Sequence, residues 1–240
     1  MPLELSACCL KRIDHEGTPV GSHEKLFGLD TYKVGDSQSE NCIVIFTDIF
    51  GNRYKNTLLV ADMLAKLGNF QIFIPDLFNG DAVTTFENFD RSKWLAEHSA
   101  KKYMPKVDAY LKNLKESVGP KSLGAIGYCY GAAFVLKNLY EGGLLDSGAV
   151  AHPSLVTPLD FGPIRKPLLM SLGEEDDYFP LETRIKVEEA LVKSGADFQI
   201  ILFKGAGHGY AVRGDPNDEN VRYAINKTVS DQANWFARYI

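Results

Sequence analysis

Short apolar runs alternate along the chain with longer stretches whose apolar residues recur every three or four positions. Runs at 42–46, 71–74, 123–126, 148–151, 168–171 and 198–203 read as strands, four to six residues long and mostly uninterrupted by charge. Between them lie helical patterns. Leu59, Val60, Met63, Leu64 and Leu67 share one face of a helix over 54–67 that Gly68 stops. The stretch 92–117 is mostly helical, with a break expected near Pro105. Helices are also expected over 132–140, ended by Gly142 and Gly143, and over 181–194. Val221, Ala224, Ile225, Val229, Ala233 and Phe236 mark a closing amphipathic helix.

Strands that are apolar throughout, rather than alternating, are buried on both faces. Their alternation with helices predicts an α/β fold with a mostly parallel central sheet and helices on both faces. A chain of 240 residues suits a single such domain spanning 1–240.

Composition narrows the class. With 45% hydrophobic and 24% charged residues the chain is an ordinary globular protein. A net charge of −5, without a basic run, points away from nucleic acid and from anionic membranes. No apolar stretch approaches the roughly 20 residues that span a bilayer. Residues 1–6 lack the basic and apolar regions of a signal peptide. Cys8, Cys9, Cys42 and Cys129 show neither disulfide nor zinc spacing, so a reducing, cytoplasmic location is expected.

The chemistry concentrates where strands end, which is where parallel sheets place their sites. Gly127, Tyr128, Cys129, Tyr130 and Gly131 follow an apolar strand and precede a helix. This is the G-x-nucleophile-x-G form of a nucleophile elbow, with cysteine at its tip. Its glycines let the backbone fold sharply, and the helix N-terminus beyond favours a thiolate. The competing reading is a cysteine that serves only as a small buried hydrophobe. Gly205, Ala206, Gly207, His208 and Gly209 follow the last strand. There an imidazole with a pKa near 6.5 could take the thiol proton. His15, His23 and His98 sit among polar residues and are expected to be solvated.

Glu174, Glu175, Asp176 and Asp177 follow another strand, and one carboxylate there can orient the histidine. Asp176 is the choice, with Asp177 its nearest rival. The loop after 42–46 carries Asp48 and Ile49. The backbone N–H groups of Ile49 and Tyr130 are the expected oxyanion donors. Asp48 beside them reads either as part of the substrate pocket or as a turn carboxylate. The order nucleophile, acid, histidine is that of α/β-hydrolases.

Together these segments resemble the dienelactone hydrolase family. The resemblance is carried by Asp48 to Gly51, Pro75 to Phe78, Gly127 to Gly131, Ala151 to Ser154, Gly173 with Asp176 and Pro180, and Gly207 to Gly209. Ala151, His152, Pro153 and Ser154 are similar to the eukaryotic branch containing carboxymethylenebutenolidase homologues. The resemblance implies a Cys129–Asp176–His208 triad that hydrolyses a small-molecule ester or lactone through an acyl-thioester. It implies no metal and no organic cofactor. Phe78, Tyr128, His152, Tyr210 and Arg213 are the further pocket candidates, His152 reading equally as a capped histidine at a strand end. Three departures stand out, one being that Arg213, which could supply the second of the family's two carboxylate-binding arginines, is offset from His208 by one residue relative to the family pattern. Asp48 replaces the glutamate of bacterial members. Asn79, Gly80 and Asp81 stand where those members carry an arginine that binds the substrate carboxylate, which points away from dienelactone itself.

Two rival functions exist. Glutamine amidotransferases share the G-x-C-x-G pattern but need a His-x-Glu pair, which this chain lacks. A non-enzymatic sensor would use Cys129 as a redox- or ligand-capturing thiol. The chain as a monomer or as a homodimer is compatible with the sequence.

Overall fold

The structure, a computed structural model, describes residues 13–85, 87 and 89–240. The segment 1–6, Cys8 and Cys9 lie outside the described residues. The expected strands all form: β3 (Asn41–Phe46), β4 (Gln71–Pro75), β5 (Ser122–Tyr128), β6 (Ser147–Ala151), β7 (Leu168–Glu175) and β8 (Phe198–Gly207). Two more precede them. β1 (Ser22–Leu26) and β2 (Leu29–Gly35) form an antiparallel hairpin, turning at Phe27 and Gly28, both at positive φ. The eight strands run in the order β1-β2-β4-β3-β5-β6-β7-β8. β2 joins β4 antiparallel, and all pairings from β4 to β8 are parallel.

Side-chain alternation splits the core into two layers. Ile43 and Ile45 of β3 face a layer closed by α1 (Lys55–Leu67) and α7 (Glu219–Tyr239). Cys42, Val44 and Phe46 face the other, closed by α3 (Ala100–Ser117), α4 (Ala132–Asn138) and α5 (Leu181–Ser194). The sheet is thus covered on both sides, as its apolar strands require.

The helical break expected near Pro105 falls instead at His98 and Ser99, between α2 (Arg91–Glu97) and α3. Pro105 sits inside α3, and the carbonyl it deprives of a donor belongs to exposed Lys101, open to water. His98 is buried, contrary to the solvated position expected for it. Its ring stacks on Trp94 at 4.2 Å, and its Nδ1–H donates to the Trp94 carbonyl over 2.9 Å. That folded-back ring ends α2.

β7 and β8 run further than their apolar cores. The register shifts after Gly173 and then pairs Glu175 with Gly207, which delivers the next residues, Asp176 and His208, side by side.

Candidate active site

The elbow is sterically specified. Cys129 has φ +51°, a left-handed conformation unusual for a residue with a side chain. A Cβ at Gly127 would stand 2.6 Å from the Ala132 Cα, and one at Gly131 would run into the Phe46 carbonyl oxygen. The strand-to-helix turn therefore closes only with glycine at both positions.

At the tip, Cys129 Sγ lies 3.0 Å from His208 Nε2. The other ring nitrogen, Nδ1, faces both Asp176 oxygens at 2.9 and 3.0 Å. Since a carboxylate only accepts, Nδ1 carries the proton and Nε2 is directed at sulfur. Asp176 is itself fixed by the Tyr178 N–H, which donates to its Oδ1 over 2.9 Å. Cys129, Asp176 and His208 are 7%, 2% and 6% exposed, so their interactions act in a low-dielectric setting.

Burial alone would push the Cys129 thiol up. Attraction to the His208 imidazolium, their hydrogen bond and the Arg213 charge outweigh it, and the thiol lies below its ordinary value. Burial likewise pulls His208 down, but the sulfur charge and Asp176 raise it well above the usual histidine range. The two directions agree on a thiolate–imidazolium pair.

A second contact reaches the sulfur. Ser154 Oγ lies 3.3 Å from Sγ, and the Ser154 N–H donates to the Cys129 carbonyl over 3.1 Å. Ser154 lies in a loop with two left-handed residues, His152 (φ +39°) and Leu155 (φ +58°).

Asp48 is fully buried and pairs with Arg213, Nε to Oδ2 at 3.1 Å. Its Oδ1 accepts the Phe50 N–H over 3.0 Å, and the Arg213 guanidinium lies 5.3 Å from the Phe50 ring centre. Burial raises the Asp48 carboxyl and Arg213 opposes that rise. Asp48 is thus engaged with an arginine, while the sulfur is engaged with His208 and Ser154.

The cavity above Cys129 measures about 30 Å³ and includes Ile49, Tyr130, Ser154, His208 and Arg213 in its wall. Arg91, Trp94, Tyr178, Phe89, Leu95 and Leu155 also line it, none of them singled out by sequence. The Arg91 guanidinium lies 5.2 Å from the Tyr178 ring centre. Ser154 had a sequence signal, its place after a strand end. Arg91 and Trp94 had none, because they come from a covering segment positioned by packing.

Five expected pocket residues lie behind the wall, the buried Asp48 among them. Phe78 packs against Tyr130 and Trp94 with ring centres 5.4 and 5.0 Å away. The Tyr128 hydroxyl donates to Gln232 of α7 over 2.9 Å, and the Tyr210 hydroxyl bonds Thr228 of α7 over 2.8 Å. His152 is buried beneath the catalytic histidine candidate, edge-on to the His208 ring at 5.3 Å. Burial, aided by repulsion from His208 and Arg213, holds His152 well below the ordinary histidine pKa, so it is neutral there.

Away from this cavity, Asp81, Glu97 and His98 bring ligand-type atoms within 4.8 Å of one another, the one such group among the described residues. There His98 Nε2 faces Asp81 at 3.2 Å. Among the described residues no helix is long and apolar enough to cross a membrane.

The mostly parallel sheet, the glycine-flanked elbow and the residues meeting over it define an α/β-hydrolase. The chain belongs to the dienelactone hydrolase family, whose sequence model matches residues 29–240, and it is an ester or lactone hydrolase of that type. It is 34% identical to the hydrolase tropI of Talaromyces stipitatus, over 99% of this chain and 98% of that protein. It is 30% identical to the carboxymethylenebutenolidase homolog of Xenopus tropicalis, over 85% of this chain and 84% of that one. The crystal structure of a dienelactone hydrolase from Anabaena variabilis shares the fold at a TM-score of 0.68 and 13% identity, covering 92% of this chain and 99% of that chain.

Proposed function

We propose that the chain cleaves its ester or lactone with Cys129 as nucleophile, His208 as acid and base, and Asp176 as the group that orients and charges His208. The observation that carries this reading is the line of contacts from Asp176 through His208 to sulfur, 2.9 and 3.0 Å long. The Cys129 thiolate attacks the carbonyl carbon, and the carbonyl π electrons become the charge of a tetrahedral oxyanion. The Ile49 and Tyr130 N–H groups receive that charge. Losing one such donor typically costs about 10²–10³ in rate. Collapse breaks the carbon–oxygen bond, and His208 Nε2 gives its proton to the leaving alkoxide. Water then loses a proton to His208 and attacks the thioester. The acid departs and the thiolate–imidazolium pair returns.

Asp48 has a supporting role in this scheme. It holds Arg213 against the pocket wall; the Arg213 charge lowers the Cys129 thiol, and the Asp48 charge itself partly offsets that by raising it. Arg91 offers a further cation in the cavity wall for an anionic substituent. The described cysteines, Cys42 and Cys129, are free thiols, which fits a reducing cytoplasmic setting.

The test is Cys129→Ala assayed with an activated aryl ester, with circular dichroism to follow the fold. Turnover falls to background while the spectrum is unchanged. Retained turnover refutes the assignment. A sensing thiol gives a different pattern: rapid alkylation of Cys129 in a wild-type protein that turns over no ester.

A further inference from the structure

The catalytic cavity, at about 30 Å³, holds roughly two waters and no ester. An open groove of about 770 Å³ lies beside it, between α3 and α4, within the size range of small-molecule sites. Its lining includes Met104 of α3, Ala133 and Leu136 of α4, Leu144, Leu155 and Val156. Leu155 also lines the catalytic cavity, so the two spaces share a wall residue.

Two features make Leu155 movable. Its backbone is left-handed, a conformation that costs an ordinary residue about 1–2 kcal/mol and that a shift of the loop would relieve. Its side chain is 47% exposed and so is loosely held. It follows Ser154, whose hydroxyl touches the nucleophilic sulfur, and precedes Val156, already in the groove. Ala133 stands four residues beyond Cys129, in the first turn of α4. The groove therefore begins within one helical turn of the reacting atom.

Resting on the hydrolase reading above, we propose that this groove takes the apolar arm of the substrate, and that Leu155 moves aside to admit it. The substrate class is then an ester or lactone bearing an extended alkyl or aryl arm, its carbonyl at Cys129 and its arm along α4.

The experiment compares p-nitrophenyl acetate with p-nitrophenyl octanoate. Ala133→Phe fills the mouth of the groove, and Leu144→Trp blocks it from another wall, covering the case in which one variant misfolds. Both variants should lose at least tenfold in kcat/KM for the octanoate and stay within twofold of wild type for the acetate. Leu155→Ala should raise the octanoate-to-acetate ratio. Octyl acetate, followed by acid release, places the apolar chain on the alcohol side; whichever ester responds to Ala133→Phe identifies the arm that occupies the groove. Octanoate binding to Cys129→Ala, measured by calorimetry, reads the groove without turnover and should weaken at least tenfold on adding Ala133→Phe. If wild type hydrolyses no ester, the hydrolase reading fails, and this binding measurement still decides the groove. Equal effects on acetate and octanoate, with octanoate binding and octyl acetate hydrolysis both unchanged by the block, overturn the proposal.

Discussion

Replacing Ser154 with alanine removes the one hydroxyl, among the described residues, within bonding distance of the nucleophile, 3.3 Å from Sγ. When sulfur is anionic that hydroxyl donates, and a hydrogen bond to a charged group is worth about 1.5–3 kcal/mol net. At 1.36 kcal/mol per pKa unit, its loss should raise the Cys129 pKa by about one to two units. The histidine remains, so the thiolate is weakened and not abolished. The assay is the pH dependence of iodoacetamide alkylation, read by mass spectrometry on the peptide containing Cys129. That readout keeps Cys42 apart, whose burial pushes its thiol up to about 11. In wild type, reactivity should be acquired below the ordinary thiol value of about 8.5, because the Cys129 pKa is lowered. Alkylation therefore rises as pH rises through that lowered value, and in Ser154→Ala the rise moves to higher pH. Ser154→Thr, which retains a hydroxyl, should restore most of the shift. Superimposable profiles for wild type and Ser154→Ala would refute the claim that this contact stabilises the thiolate.

Asp176→Asn keeps the shape of the side chain but removes the charge behind His208, and should lower kcat by up to about 10⁴, measured on an activated ester; a loss under tenfold would contradict the orienting role. Asp48→Ala leaves the Arg213 guanidinium buried without its carboxylate, and should cost about 3–5 kcal/mol of stability by denaturant unfolding. A variant as stable as wild type would show that the pair carries little. Gly131→Ala drives a methyl group into the Phe46 carbonyl, and should cost about 1–3 kcal/mol with a larger loss of activity as the elbow shifts. Unchanged melting and turnover would mean that the elbow has room the geometry denies it.

The parts of the fold legible in sequence were those whose signal is hydrophobic continuity. The apolar runs of β3 to β7 are buried on both faces, and their residues say so; β8, the other outer strand, is only partly buried, with Leu202 exposed, but its apolar run is still continuous. β1 is an outer strand with exposed Ser22, Glu24 and Lys25, so it carries no apolar run to read. The ends of β7 and β8 are glycine-rich and charged; their pairing depends on the neighbouring strand, yet it is this pairing that sets Asp176 beside His208. Cys129, Asp176 and His208 stood out because an elbow needs glycine on both sides and because each residue follows a strand. Their separation in sequence is large, but a parallel sheet returns each strand end to one edge.

Pocket walls were harder to read. Tyr128 adjoins the nucleophile in sequence, but strand alternation turns it to the α7 side of the sheet. Phe78 belongs to an aromatic layer behind Tyr130. Trp94 and Arg91 reach the cavity only through the way α2 packs, and no local pattern encodes that. His98 misled for a related reason: polar neighbours in sequence suggested solvent, whereas stacking on Trp94 buries it.

The central claim is that sulfur becomes covalently acylated during turnover. Mixing the protein with an activated aryl ester, quenching in acid within milliseconds to seconds and sequencing the peptides by mass spectrometry tests it directly. An acyl mass should appear on Cys129 of wild type during the first turnovers, and form more slowly but persist longer in His208→Gln, which lacks the base for both steps. An enzyme that turns over the ester while Cys129 stays unmodified at every time point, in wild type and in that variant, would contradict it.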